Sequence, residues 1–413
     1  MKKLLKQQQE MLKCFLNWIS VILPLLLHQI SYGNNSPIPY DLEKVEISII
    51  TCDPGSEIYS LFGHSALRIN HVESDEDIVV NWGIFEYYED QFKFGYDFAK
   101  GRLNYYMGIQ NTVDFLREYS YYKRGVREQI LNLTISEKKE IIEFISVNNL
   151  PQNRNYKYEF FYDNCSTRIR DLFSSIFKSS ITWGNHPSEN KFTFREIIHQ
   201  NLAPQPWLML GIDLVLGKRI DQMVNNENLM FLPEYLEAIL DSTKITKVDQ
   251  SRTLISNKKV LIFSDEDESS DFSSIAIYGW VILTITLLLL FLKNERIFNI
   301  WSSVMLTFLS LLGILLYFMW FGTDHQATKN NSNILWANPS YIFLVWVIIF
   351  KKWNKVSLLY VYLIGFCLLT TILFWFGMVQ EFNPTIKPII ISLALVFYYY
   401  FRKNKFVIYN ENS

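Results

Sequence analysis

The sequence predicts an α+β water-facing domain, built on an antiparallel sheet with helices, followed by an α-helical transmembrane bundle. Three observations predict it. The 413 residues are 49% hydrophobic and 16% aromatic, yet 19% are charged. That is too apolar for a soluble chain and too charged for a purely membrane one, so the two kinds of residue must be segregated along the sequence. Up to residue 263, short β-branched runs alternate with capped helical patterns. Beyond Ser274 come long apolar segments separated by basic turns.

The elements follow in order. Residues 1–33 carry Lys2, Lys3, Lys6 and Lys13, then an apolar run from Phe15 to Leu27, which reads as a signal peptide or an uncleaved signal anchor. Residues 34–263 form the exported domain. Val45–Thr51, Ser65–Ile69, Ile78–Phe85 and Arg124–Leu133 are strand candidates, and Tyr156–Phe161 is extended and aromatic. Thr134-Ile-Ser-Glu137 is a capping box opening a helix to about Val147. Asn164 caps a helix from Cys165 to about Phe177, with Ile169, Leu172, Phe173 and Ile176 on one face. Residues 264–274, rich in Asp, Glu and Ser, form a solvated linker.

Residues 275–401 hold five expected spans: Ile275–Leu292, Ile297–Phe321, Leu335–Phe350, Val356–Met378 and Ile386–Phe401. With the domain outside, the turns bearing Lys293 and Arg296, and Lys351, Lys352 and Lys355, fall inside, as does the tail 402–413 with Arg402, Lys403 and Lys405. The polar loop Gly322–Asn338, containing Thr323-Asp324-His325, then lies on the domain's side.

Composition excludes several classes of function. The net charge of −2 gives no nucleic-acid footprint. There is no Gly-rich phosphate loop, no CxxC pair and no zinc-type ligand spacing, so neither a metal nor another cofactor is expected. The four cysteines are Cys14, Cys52, Cys165 and Cys367, too few for a disulfide-stapled scaffold.

The chemistry-bearing pattern is Leu61-Phe-Gly-His64-Ser-Ala-Leu-Arg68-Ile69 together with Asp163-Asn-Cys165-Ser-Thr-Arg168. A thiol with a pKa near ~8.5 is only a few per cent thiolate at neutral pH. Lowering it by ~2 units needs ~2.7 kcal/mol of preference for the anion. A helix start supplies ~0.3–1 kcal/mol, so Cys165 requires a further cation. His64 is the best-placed imidazole, and it can also move protons. Asn81, on the adjacent predicted strand, suits the role of orienting that imidazole, with His71 the weaker candidate. Plainer readings stand beside this one. Cys165 can be a small buried hydrophobe or half of a Cys52–Cys165 bridge, and His64 a core histidine. Arg68, Arg168 and Arg170 can meet lipid phosphate or serve as ordinary ion-pair partners. Asp324 and His325 can line a membrane-face site or belong to a polar interfacial loop.

At these residues the sequence resembles the Lnb-type lipoprotein N-acyltransferases of bacteria. The resemblance rests on Thr51-Cys-Asp-Pro-Gly55 with Phe62-Gly-His64, Asn81-Trp-Gly-Ile-Phe85, Gly101-Arg-Leu-Asn-Tyr105 and Asp163-Asn-Cys-Ser-Thr-Arg168. It extends to Thr323-Asp-His325 followed by Asn333-Ile-Leu-Trp-Ala-Asn-Pro339. It implies a periplasmic domain of permuted papain-like type, in which the histidine strand precedes the cysteine helix. It further implies a multi-pass inner-membrane enzyme with His64 and Cys165 as the catalytic pair. Its reaction would move a fatty acyl chain from a membrane phospholipid to the N-terminal amine of diacylglyceryl-cysteine lipoproteins. The alternatives are a cell-wall thiol peptidase or amidase, a phospholipase on a similar frame, and a non-catalytic, disulfide-bridged envelope scaffold.

Overall fold

The computed structural model describes residues 41–57, 60–85, 90–247, 250–264 and 275–404. The expected signal segment, Cys14, nearly all of the acidic linker and the end of the basic tail lie outside the described residues.

The first domain is organised by a seven-stranded antiparallel sheet in the order β10–β5–β1–β2–β3–β4–β6. Its strands are β1 (Val45–Cys52), β2 (His64–His71), β3 (Asp77–Phe85), β4 (Asn104–Asn111), β5 (Val126–Leu131), β6 (Asn155–Lys157) and β10 (Ile255–Ile262). Seven of the eight residues of β1 are buried, which suits its β-branched run and its place at the centre of the sheet. One face carries a small core with Ile50, Cys52, Ala66, Val79, Phe115, Tyr119 and Val126, closed by helix α2 (Thr112–Tyr121). The other carries the main core, covered by α3 (Ile135–Asn148) and α4 (Cys165–Phe177). Between β3 and β4 lies α1 (Gln91–Ala99).

The expected caps form. Thr134 and Glu137 make a reciprocal capping box at the start of α3. The buried Glu137 carboxylate is paired with Lys247 and Arg252. In α4 the buried side chains include Ile169, Leu172, Phe173 and Phe177, so Phe177 takes the buried place expected of Ile176.

Several expected boundaries move. The strand expected over Arg124–Leu133 runs only from Val126, because Lys123 sits at φ 55° and turns the chain just before it. The extended run expected over Tyr156–Phe161 is a strand only through Lys157, after which Glu159 and Asp163 bridge a tight turn leading to α4. The segment expected over Leu335–Phe350 is broken. A 3-10 turn over Ser332–Leu335 gives way at Asn338-Pro339, and only the helix Tyr341–Phe350 follows.

Residues 181–254 build a part of the domain for which the sequence offered no motif. A small sheet joins β7 (Ile181–Thr182), β8 (Lys244–Lys247) and β9 (Gln250–Thr253). Helices α5 (Phe194–Leu202), α6 (Pro206–Val215), α7 (Asn226–Leu229) and α8 (Pro233–Ser242) complete it. The second part of the chain has five described helices: α9 (Ala276–Leu292), α10 (Glu295–Phe321), α11 (Tyr341–Phe350), α12 (Lys355–Leu373) and α13 (Ile386–Asn404). Of these, α10 and α12 are each long and apolar enough to cross a membrane. At ten residues, α11 rises only ~15 Å, about half a hydrocarbon core.

The two ends of α10 differ in chemistry. Its first residue, Glu295, is ion-paired with Lys403, with Lys351 close enough to act on the same carboxylate. The expected inside turns therefore gather at one end. At the other end, the loop after Phe321 is bonded to the first domain: the Asp324 N–H donates to the Lys100 carbonyl, and Asp324 pairs with Arg102 and Lys157. A second junction lies deeper. Asp213 of α6 accepts from Arg195, His199 and Asn383, and its backbone carbonyl accepts from Asn333. Gln380 and Asn331 add bonds to the carbonyls of residues 214–216. The loop Gly322–Asn338 thus lies on the domain's side, as the basic turns predict.

Candidate functional site

Cys165 is the first residue of α4, and its position is fixed from two directions. The Asn164 side-chain oxygen accepts from the N–H groups of Ser166 and Thr167 at 2.9 Å each, and the Asn164 N–H donates to the Thr167 hydroxyl oxygen. The Asn164 amide nitrogen donates to the carbonyls of Phe160 and Phe231 at 2.7 Å each. The cap therefore ties the helix start to the preceding turn and to the segment before α8. Inside the domain, Ser166 meets Ser65 of β2 at 3.0 Å, which clamps α4 against the strand that begins with His64.

His64 is held by Asn81 and faces the thiol. Its Nε2 lies 3.0 Å from Asn81 Oδ1, which leaves Nδ1 for the thiol, and the imidazole and Cys165 are close enough for the charge of each to act on the other. The register explains why Asn81 reaches it. Asn81 stands opposite Ala66, so His64 and Asn81 lie two residues apart on one face of adjacent strands.

The electrostatics follow from this geometry. Burial alone would raise the Cys165 thiol. The His64 charge and hydrogen bond, the Ser65 N–H and the Ser166 hydroxyl outweigh it, and the thiol lies below its ordinary value of 9.0. Burial alone would lower the His64 imidazole. The Cys165 charge and hydrogen bond, with the Asn81 bond, hold it above its ordinary 6.5. The two groups stabilise each other as thiolate and imidazolium, which is the state a sulfur nucleophile requires.

Gly63 sets up the approach to His64. Its φ is +74°, and a Cβ there would stand 2.6 Å from the Cys52 carbonyl oxygen. Gly63→Ala should cost roughly 1–3 kcal/mol through backbone strain. It should also slow alkylation of Cys165 by displacing His64. A melting temperature and an alkylation rate matching wild type would refute this.

Other sequence candidates lie elsewhere. Arg68 is engaged by Asp77 at 2.6 and 2.8 Å and by Glu128 at 2.8 Å, far along β2 from His64, so it is an ion-pair partner. Arg168 pairs with Asp163 and lies over the Tyr156 ring at 4.0 Å, bracing the turn before Cys165. Asp324 and His325 do not join the thiol cluster. His325 Nε2 bonds the Phe98 carbonyl at 3.1 Å, and its ring fills the space beside Gly101, whose φ is +67°. They dock the loop after α10 onto the domain. Cys52, Cys165 and Cys367 are free thiols, so the described residues do not form the Cys52–Cys165 bridge. Cys52 instead meets the Tyr119 hydroxyl on the other face, where burial pushes its thiol up.

Sequence reasoning missed the tyrosines that stand near this site. Tyr158 is half-buried, the Cys165 charge acts on its hydroxyl, and desolvation pushes that hydroxyl well above the ordinary phenol value. Tyr156 is pushed up in the same way. The available signal was the aromatic density of residues 156–162, just upstream of the cysteine.

Comparison with known families gives two matches. Residues 38–200 match the Lnb N-terminal periplasmic domain, and residues 268–405 match the Lnb transmembrane domain. No curated protein and no solved structure matches the chain. The two matched domains, in this order, make the chain a membrane protein with a periplasmic part.

Proposed function

The chain belongs to the Lnb family, and from that premise we propose that it is a multi-pass inner-membrane lipoprotein N-acyltransferase with Cys165 as its nucleophile. The observation that best supports this reading is a buried thiol whose proton is governed by His64, in a domain bonded to transmembrane helices.

In the first half-reaction, the Cys165 thiolate attacks the carbonyl carbon of a phospholipid ester. The bond to the glycerol oxygen breaks, His64 gives its proton to that oxygen, and lysophospholipid leaves. The Asn164 side chain takes the Ser166 and Thr167 N–H groups, so the N–H at the start of α4 left to meet the developing oxyanion is that of Cys165 itself. In the second, the α-amine of a diacylglyceryl-cysteine lipoprotein attacks the thioester carbon. The sulfur leaves as thiolate and His64 accepts the amine proton, which restores the starting pair. Cys165 is 8% exposed. Such shielding favours a membrane-delivered amine over water and argues against simple lipid hydrolysis.

The test is a bacterial strain lacking its own lipoprotein N-acylation, supplied with the full chain. Mass spectra of its N-terminal lipopeptides should gain one acyl chain. Lipopeptides that stay diacylated, with the chain present in the membrane, would overturn the proposal.

A further inference from the structure

The helix α1 exposes aromatic rings to a degree that water does not favour. Phe92 is 93% exposed, and Phe98 and Tyr96 are 55% each. Yet this helix is not at a random place on the surface. Its carboxyl end is bonded to the loop after α10, through His325 to the Phe98 carbonyl and the Asp324 N–H to the Lys100 carbonyl. That loop begins just beyond Phe321. In the last turn of α10, Trp320 and Phe321 stack at 4.9 Å, and Tyr317 and Phe321 at 5.8 Å, an aromatic cluster of the kind found at a membrane–water interface. α1 is therefore tied to the height of the interface and continues its aromatic band.

From α1 a row of rings leads inward. Phe98 stacks with Phe94 at 6.5 Å, one helical turn away, and Phe94 meets Phe85 at 5.7 Å. Phe85, at the end of β3, meets Tyr105 edge-on at 5.8 Å, its partner in β4. Tyr105 stacks on Tyr158 at 4.6 Å. Tyr158 lies over Gly83, two residues along β3 from Asn81, whose side chain bonds His64. Gly83 has φ +93°, and its missing side chain leaves room for that ring.

We propose that α1 lies in the outer-leaflet headgroup region, and that Phe98, Phe94, Phe85, Tyr105 and Tyr158 form the path along which a phospholipid acyl chain reaches Cys165. The proposal rests on the acyl-transfer reading and adds the site that binds the donor chain. Lipid is the occupant these observations favour, because the exposed rings are continuous with the aromatic end of a transmembrane helix and lead to the thiol. A second copy or another protein would account for the exposed rings but not for the row leading inward.

The test uses the full chain in vesicles of dioleoyl phosphatidylethanolamine and dioleoyl phosphatidylglycerol. Thioester formation at Cys165 is read by mass, from the vesicle lipid and from the water-soluble short-chain ester p-nitrophenyl butyrate. In Phe94→Ala and Phe98→Glu, the ratio of the two rates should fall by about tenfold, the worth of losing contact with roughly two chain methylenes. A phospholipid with a photoactivatable acyl chain should label residues 85–105. An unchanged ratio, or labelling confined to the helical bundle, overturns the path while leaving acyl transfer standing. A wild-type chain that forms no thioester from lipid overturns the acyl-transfer reading and the path together.

Discussion

Replacing Cys165 by alanine is expected to abolish both thioester formation and N-acylation, because no other described thiol or hydroxyl is poised on His64. The chain should still fold, since the side chain removed is small and the Asn164 cap does not depend on it. His64→Ala removes the proton carrier and should slow transfer by about 10²–10⁴-fold. The two variants differ in a second readout. In wild type the His64 charge holds the thiol below 9.0, so alkylation by iodoacetamide should stay fast under that pH and fall only as pH drops through the lowered value. Without the His64 charge to offset it, burial disfavours the Cys165 thiolate, so the midpoint of alkylation should move upward. Transfer in wild type should have a second limb: above the raised His64 value the imidazolium that protonates the leaving oxygen is lost, and the rate should decline. Acyl transfer by Cys165→Ala at the wild-type rate, or an alkylation midpoint unmoved by His64→Ala, would refute this assignment.

The second large effect is expected at Asp213. Its carboxylate and the Arg195 guanidinium are both completely buried and 2.8 Å apart. Arg195 also bonds Asp221 and the carbonyls of Leu216 and Gly217, while Asp213 also accepts from His199 and Asn383. Removing Asp213 leaves Arg195 paired with Asp221 alone and takes the acceptor from Arg195 Nη1, His199 and Asn383, at a cost that approaches the about 3–5 kcal/mol of a broken buried pair. Asp213→Ala should therefore lower the melting temperature of the detergent-solubilised chain and open residues 195–221 to limited proteolysis. Asp213→Asn, which keeps hydrogen-bonding capacity, should lose less. A melting curve for Asp213→Ala that overlays wild type would show that this junction carries no stability.

The parts of this architecture that were legible in the sequence are those written in short-range chemistry. The Thr134 and Asn164 caps announce α3 and α4, and the β-branched runs announce β1 to β3. The pairing of His64 with Cys165 followed from what a thiol at a helix start lacks. The placement of Asn81 beside His64 followed from strand adjacency. What stayed hidden is set by contacts distant in sequence. Arg68 reads as a phosphate ligand until Glu128, sixty residues on, is placed beside it. Tyr158 comes to stack on Tyr105 and to lie over Gly83 only when β4 and β6 pair. Asp213 is a lone acid in the apolar run Pro206–Val215, a pattern that signals a buried, partnered charge, but its partners lie in α5 and beyond residue 380.

The junctions after α10 and around Asn383 also bear on where this protein can be divided. A chain cut after residue 263 would look, by sequence, like a self-sufficient soluble enzyme. By its bonds it would not be one. It would lose Asn383 from the Asp213 carboxylate, Asn333 from the Asp213 carbonyl and Gln380 from the Leu216 carbonyl. It would also lose His325 from beneath Phe98. A soluble version would have to graft stand-ins for residues 322–338 and 380–383 onto the excised domain. The boundary drawn by the backbone and the boundary drawn by the hydrogen bonds run through different places.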